Sequence, residues 1–260
     1  GSDHTVFLNF VGMPVLGLQF DGPYGVYHSA YDDFFWMNHF GDPGYRYHTL
    51  MTQLWGVLAL RLANSDLLPF DFAAYADNIR QFVTELANKN ELVLRGSVAR
   101  SQSEPATQPR DLVRAAAATA TSEDNAGIDL SAVLTAINNF ESAGKQLNAS
   151  VTAKLATGSL DPKLADAINH GMMQVERNWL NPDGIPGRPW FKHILYGARF
   201  TYAHLELPGL TEAVEKQDWA TAKQQAEILE HALATNTQLL IQLNSDLNGE
   251  STNASSDPEK

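Results

Sequence analysis

The residues of this chain best suited to chemistry lie in one short stretch, Tyr24-Gly-Val-Tyr-His-Ser-Ala-Tyr-Asp-Asp33. Tyr27 and His28 stand side by side, close to Asp32 and Asp33 and to the aromatic run Tyr31 to Phe40. An imidazole on a loop after a strand can aim a ring nitrogen into a pocket and ligate a metal ion. A lone histidine is more often a surface residue or a satisfied core residue, so it is the neighbours of His28 that favour a ligand role. Asp32 and Asp33 could accept hydrogen bonds behind such a ligand, although a carboxylate at the first turn of a helix is the simpler explanation for both. His39 and His48 flank a Gly-Asp-Pro turn and read as structural. The chain has no His-Glu-x-x-His, no phosphate-binding glycine loop and no Gly-x-Ser-x-Gly. Read alone, it holds no complete catalytic constellation.

Composition removes several other classes. A net charge of −12 argues against nucleic acid and anionic membrane as partners, since both call for clustered Lys and Arg. No apolar run reaches the roughly 18 residues a membrane span needs. The chain has no cysteine, which excludes disulfides and thiolate metal sites. It begins Gly1-Ser2-Asp3 without Met. Gly-Ser is a common cloning scar; the other reading is that the sequence starts inside a domain.

The elements around the Tyr24–Asp33 stretch change character at that point. Before it, Thr5 to Val11 has helical apolar spacing, with Asp3 as N-cap and Gly12 as stop. Met13 to Leu18 reads as a buried strand, and Asp21-Gly22-Pro23 as a turn. A helix, a strand and a loop are too little to fold alone, so this part is expected to need a partner or the rest of a domain. After the stretch almost everything is helical. Asp42-Pro43 reads as an N-cap with Pro at the first helical position. Tyr45 to Ala63 is expected to be a long, well-buried helix, apolar over one broad face. Further helices are expected over Phe72 to Asn88, Leu130 to Leu155, from Asp161-Pro162 to Asn181-Pro182, and Trp219 to Leu243. Leu134, Ile137, Phe140 and Leu147 are expected to face inward. Residues 95–127 read as an exposed excursion with a short Ala-rich helix at Asp111 to Ala120, and residues 181–209 as a long irregular segment, the kind of loop that is often functional. The fold class expected is mostly α: an up-and-down helical bundle preceded by a short α/β remnant.

Several separate motifs, in order, resemble one family. They are Gly1-Ser-Asp3, Val26-Tyr-His-Ser-Ala-Tyr-Asp32, Leu62-Ala-Asn-Ser65 with Leu68-Pro-Phe-Asp71, Glu176-Arg177, Asp183-Gly-Ile-Pro-Gly-Arg-Pro-Trp190 and His193-Ile-Leu-Tyr196. Together they look like the C-terminal part of glutamate carboxypeptidase and its relatives, zinc metallopeptidases that share their architecture with the transferrin receptor. The resemblance implies three regions: 1–40 as the incomplete C-terminal end of an α/β zinc-peptidase domain, 41–246 as a transferrin receptor-like helical dimerisation domain, and 247–260 as a disordered tail. It implies a homodimer formed through the helical domain, a peptide substrate, and zinc as cofactor, two ions in the full-length parent. His28 matches the family's final zinc ligand. Tyr27 and Tyr202 match tyrosines that hold the substrate's terminal carboxylate, and Gly1, Ser2 and Asp3 match a loop lining the cleft. Relatives are secreted, periplasmic or membrane-anchored outside the cytoplasm.

The departures from the family pattern set the expectation for function. The other zinc ligands and the Glu general base have no counterpart in residues 1–260. One imidazole cannot close the first shell of two zinc ions, so no catalytic residue is assigned and the chain is expected to be inactive alone. Glutamate-selective members carry an Arg patch and a Lys near the pocket. Gly17 and Gln19 stand at the patch positions here and Thr201 precedes Tyr202, so a strong preference for acidic substrates is not expected. Two readings remain: the C-terminal part of a dimeric zinc exopeptidase, or a non-catalytic receptor-like dimerisation module. His28 with Tyr27 favours the first.

Overall fold

The computed structural model describes residues 3–102, 128–158, 160–199 and 204–249, with backbone alone over 90–102. These residues form two compact units, one of residues 15–69 and one of the first 14 residues with those from 70 onward. The expected loop and short helix within 103–127 fall outside the described residues.

The smaller unit is built around two capped helices. Helix α1 (Phe34–Trp36) starts at Asp33, whose carboxylate accepts the Trp36 N–H at 2.8 Å, and it continues as a π-helical turn over Met37–Gly41. Asp33 is thus the capping residue that its sequence position suggested. Helix α2 (Arg46–Ala63) begins three residues later than the Asp-Pro pair implied. Asp42 still caps it, from a distance. Tyr45 turns left-handed (φ 54°), and the Asp42 carboxylate then receives the N–H groups of Arg46, Tyr47 and His48 at 2.9–3.2 Å. His48 Nδ1 adds a fourth contact at 2.7 Å. The expectation of a well-buried helix is corrected: no residue of α2 is buried, and Leu60 is 66% exposed. Its broad apolar face has no helix or strand packed closely against it among the described residues.

The larger unit holds the bundle. Its first segment, expected as a helix from Thr5, is a short helical stretch whose last turn, Phe7–Val11, is π-helical. Within it the π-helical turn starts from Val6 without a side-chain cap. Gly12 stops it in the left-handed conformation, as expected. The strand expected at Met13 to Leu18 is not formed: the backbone makes no ladder, and Met13, Val15 and Leu16 are exposed. A strand needs a hydrogen-bonding neighbour, and none is present among the described residues.

Helix α3 (Phe72–Gln102) is longer than its apolar stripe suggested. The Asp71 carboxylate caps it through Ala73 and Ala74 and also accepts Asn148 Nδ2 at 2.8 Å, tying the start of α3 to α4 (Ser131–Ala156). On α4 the buried residues are Val133, Ile137, Phe140, Ala143, Gly144 and Leu147, one stripe at helical spacing. Leu134 lies one position off that stripe and is 37% exposed, which corrects its expected inward place. Gly144 lets the two helices approach, because a Cβ there would meet the backbone of Phe72 and Ala73 at 3.0 Å.

Helix α5 (Pro162–Arg177) has the expected Asp161 cap and Pro at its first turn. The segment after it forms a small antiparallel hairpin, β1 (Tyr196–Ala198) with β2 (His204–Glu206), in the register Tyr196 to Glu206. Helix α6 (Pro208–Glu215) follows, and then α7 (Trp219–Asn248), capped by Asp218. The last helix runs past its expected end at Leu243. Leu247 is fully buried, and Gly249 closes the helix at φ 76°. Helix α4 packs against both α3 and α7, and α5 and α6 pack on α7. The fold is mostly α, as expected. Its core is an aromatic cluster in which Trp179 and Phe140, both fully buried, meet edge to face at 6.0 Å, with Tyr75 against each.

Candidate functional site

The Tyr27–His28 pair sits in a tight turn of the smaller unit. The turn is closed by Ser29 N–H donating to Val26 O at 2.9 Å and Asp32 N–H donating to Ser29 O at 3.1 Å. His28 holds a left-handed backbone (φ 60°), a conformation that non-glycine residues adopt infrequently and that often marks functional sites. Its ring stacks on Tyr27 at 3.8 Å and 20°. Tyr27 is 63% exposed, so the stack faces outward. Among the described residues no three His, Asp or Glu side chains come close enough to hold a metal ion. One imidazole supplies a quarter of a tetrahedral zinc shell, so these residues by themselves do not make a zinc site. An open cavity of about 660 Å³ in the same unit is lined by Phe20, Tyr24, Trp36, Phe40 and Asp42, but not by His28.

The other residues singled out from the sequence separate. Asp3 lies in an exposed turn at the start of the larger unit. Gly1, Ser2 and Tyr202 fall outside the described residues. His39 and His48 are structural, as expected. His39 Nδ1 donates to Phe35 O at 2.8 Å, and His48 pairs with Asp42.

A buried polar cluster in the larger unit was not assigned a role from sequence. Its centre is Glu176, in the last turn of α5. One carboxylate oxygen accepts from His193 Nε2 at 2.9 Å, and the other accepts the Tyr75 hydroxyl at 3.1 Å. His193 is fully buried, and its Nδ1 accepts the backbone N–H groups of Leu195 and Tyr196, each at 3.2 Å. Nδ1 therefore carries no proton, and Nε2 is the donor to Glu176. The tyrosines register the cluster's electrostatics. Burial and then the Glu176 carboxylate raise Tyr75 well above the ordinary phenol value. Burial, Glu176 and Glu206 push Tyr196 up to about 12. Glu176 and His193 stand in the sequence as parts of two separate motifs 17 residues apart. Only the return of the chain after Trp179 brings them together.

Residues 128–241 match the transferrin receptor-like dimerisation domain. The matched residues take in helices α4 to α6 and most of α7, so the bundle agrees with a domain of that helical kind. Across most of its length the chain is similar to peptidases. It is 28% identical over 235 residues to a probable glutamate carboxypeptidase from Arabidopsis thaliana, covering 90% of this chain and 29% of that protein. It is 31% identical over 196 residues to a second one from the same plant, covering 75% of this chain and 24% of that protein. It is 24% identical over 244 residues to an inactive zinc metalloprotease from Schizosaccharomyces pombe, covering 89% of this chain and 27% of that protein. Over most of its length the chain is thus similar to glutamate carboxypeptidase-like proteins. It spans under a third of the length of these relatives, from 24% to 29%.

Proposed function

We propose that this chain serves as the dimerisation-bearing part of a zinc-dependent exopeptidase. What carries the reading is similarity to a probable glutamate carboxypeptidase over 90% of the chain. Residues 1–40 then belong to the peptidase domain and 41–246 to the dimerisation domain. His28 supplies one zinc ligand. Tyr27 and Tyr202 bind the terminal carboxylate of a peptide substrate, and Gly1, Ser2 and Asp3 line the cleft. The left-handed turn that presents His28 beside Tyr27 supports this, because such a conformation needs a reason to persist. The remaining metal ligands and the general base come from polypeptide beyond these residues, and two copies pair through the helical domain. The working place is outside the cytoplasm: secreted, periplasmic or membrane-anchored.

The test is to measure zinc content and dipeptide hydrolysis for the isolated chain and for a longer enzyme containing it. The isolated chain should hold little zinc and turn over nothing. In the longer enzyme His28→Ala should remove activity and lower zinc content. Stoichiometric zinc with turnover in the isolated chain would refute the reading.

The second reading is a non-catalytic dimerisation module. The similarity to a relative described as inactive favours it. A longer protein that dimerises and binds no zinc would decide for it.

A further inference from the structure

The Glu176 carboxylate is 9% exposed, and among the described residues no Lys or Arg pairs with it. Its two donors, the Tyr75 hydroxyl and His193 Nε2, are both neutral. His193 cannot supply a positive charge while its Nδ1 accepts the Leu195 and Tyr196 N–H groups, because an imidazolium carries a proton on each nitrogen. A buried charge is ordinarily paired, since burial without a partner gives up hydration and gains nothing in return. Each oxygen of Glu176 has accepted one hydrogen bond and keeps capacity for another. The charge is felt nearby: beyond the effect of burial, it raises the phenols of Tyr75 and Tyr196.

Glu176 stands in the wall of an open cavity of about 210 Å³ within the larger unit. Phe70, Asp71, Phe72, Tyr75 and Asn78 share that wall, and no Lys or Arg does. Both charged groups at the cavity are therefore carboxylates. Asp71 is held by its capping bonds to Ala73 and Ala74 and by Asn148, so it adds negative potential from a fixed place. Phe70 and Phe72 stack on each other at 5.5 Å and 16°, an aromatic wall beside the two carboxylates.

We infer that this cavity is a binding site for a guanidinium group, carried by a small molecule or by an arginine side chain of other polypeptide. Hard metal ions take six or more oxygen ligands, and no three His, Asp or Glu side chains come together among the described residues. A guanidinium needs less. It is planar, forks onto a carboxylate, stacks on aromatic faces and is weakly hydrated, so it loses little on entering a half-apolar cavity. Size agrees as well. An apolar cavity of about 150 Å³ takes a benzene ring, which is larger than a guanidinium group. The site belongs to the helical bundle and does not depend on the exopeptidase function.

The test is a titration of this chain with methylguanidinium chloride, read by amide NMR, with sodium chloride adjusted to hold ionic strength constant. The Ala74, Tyr75, Asn78 and Val175 signals should move together and saturate, with Kd on the order of 10 mM. Glu176→Gln keeps the size of the side chain and removes its charge. It should weaken binding at least about tenfold, the scale of one charge-assisted hydrogen bond. Should that variant fail to fold, Ala74→Leu decides. Ala74 is exposed on α3 and lines the cavity, so a larger side chain there fills the space and leaves Glu176 and its donors in place. Ala74→Leu should abolish the shifts and keep the parent's melting temperature within a few degrees. Shifts that do not saturate by about 100 mM, that tetramethylammonium reproduces, or that persist in Ala74→Leu would overturn the inference. Calorimetric titration of a longer protein containing this chain separates the two sources. If the cation is a small molecule, methylguanidinium binds there as well. If it is an arginine from polypeptide beyond these residues, the cavity is already filled and methylguanidinium binds the isolated chain only.

Discussion

At the residue scale, stability of the bundle concentrates in a few side chains. Trp179 is fully buried and meets Phe140 and Tyr75 edge to face. Trp179→Ala removes that cluster's centre and should lower unfolding free energy by about 3–5 kcal/mol, read by denaturant melts. Tyr75→Phe keeps the ring and removes one hydroxyl from Glu176, so its cost should be smaller, about 1 kcal/mol. Asn236, fully buried on α7, accepts Asn178 Nδ2 at 2.8 Å and donates to Val175 O at 3.2 Å. It satisfies the open end of α5 from a neighbouring helix. Nothing in the sequence spacing marks it, because its partners lie 58 and 61 residues away.

At the element scale, caps and turns were legible where chemistry is local. Asp33, Asp161 and Gly12 all do what their residue type implies. Asp42 caps α2 as well, but by spanning a left-handed Tyr45, which the Asp-Pro pair did not reveal. Burial pushes the Asp42 carboxyl up, while the His48 side chain and the N–H groups of His48, Tyr47 and Arg46 lower it by more, leaving it at about 2 instead of 3.8. A carboxyl depressed in the folded state stabilises fully above its unfolded value and loses that contribution as pH falls through the folded one. The Arg46, Tyr47 and His48 amide signals should therefore titrate together with a midpoint near 2, and a midpoint near 3.8 would mean the cap is not formed. The 181–209 segment offers a backbone test. Gly184 sits at φ 72°, and a Cβ there would collide with the Pro189 carbonyl. Gly184→Ala should cost at least about 1–3 kcal/mol, measured by thermal unfolding.

At the scale of the whole molecule, two kinds of surface coexist. Among the described residues the bundle buries its core, and few of its large apolar residues, such as Leu134, Leu155 and Ile241, are exposed. The segment from Val6 to Leu62 exposes many, among them Tyr31 and Phe34 at 75% and Leu60 at 66%. Patches of that kind mark contacts with other polypeptide. Under the proposed function the bundle pairs with a second copy. Sedimentation of the chain at micromolar concentration should then give a dimer, and a monodisperse monomer would contradict the pairing. No described helix is long and apolar enough to cross a membrane.

The sequence by itself determined the long helices, some of their caps such as Asp161, and the resemblance to a family. These depend on spacing and residue type within a few turns of chain. The tertiary structure alone decided which faces are covered. It left α2 exposed and Met13 to Leu18 without a ladder, because burial and strand pairing both require a neighbour that local pattern does not specify. It also joined Glu176 to His193 and Tyr75, groups up to 118 residues apart (75 to 193), through contacts that exist only once α3, α5 and the hairpin pack.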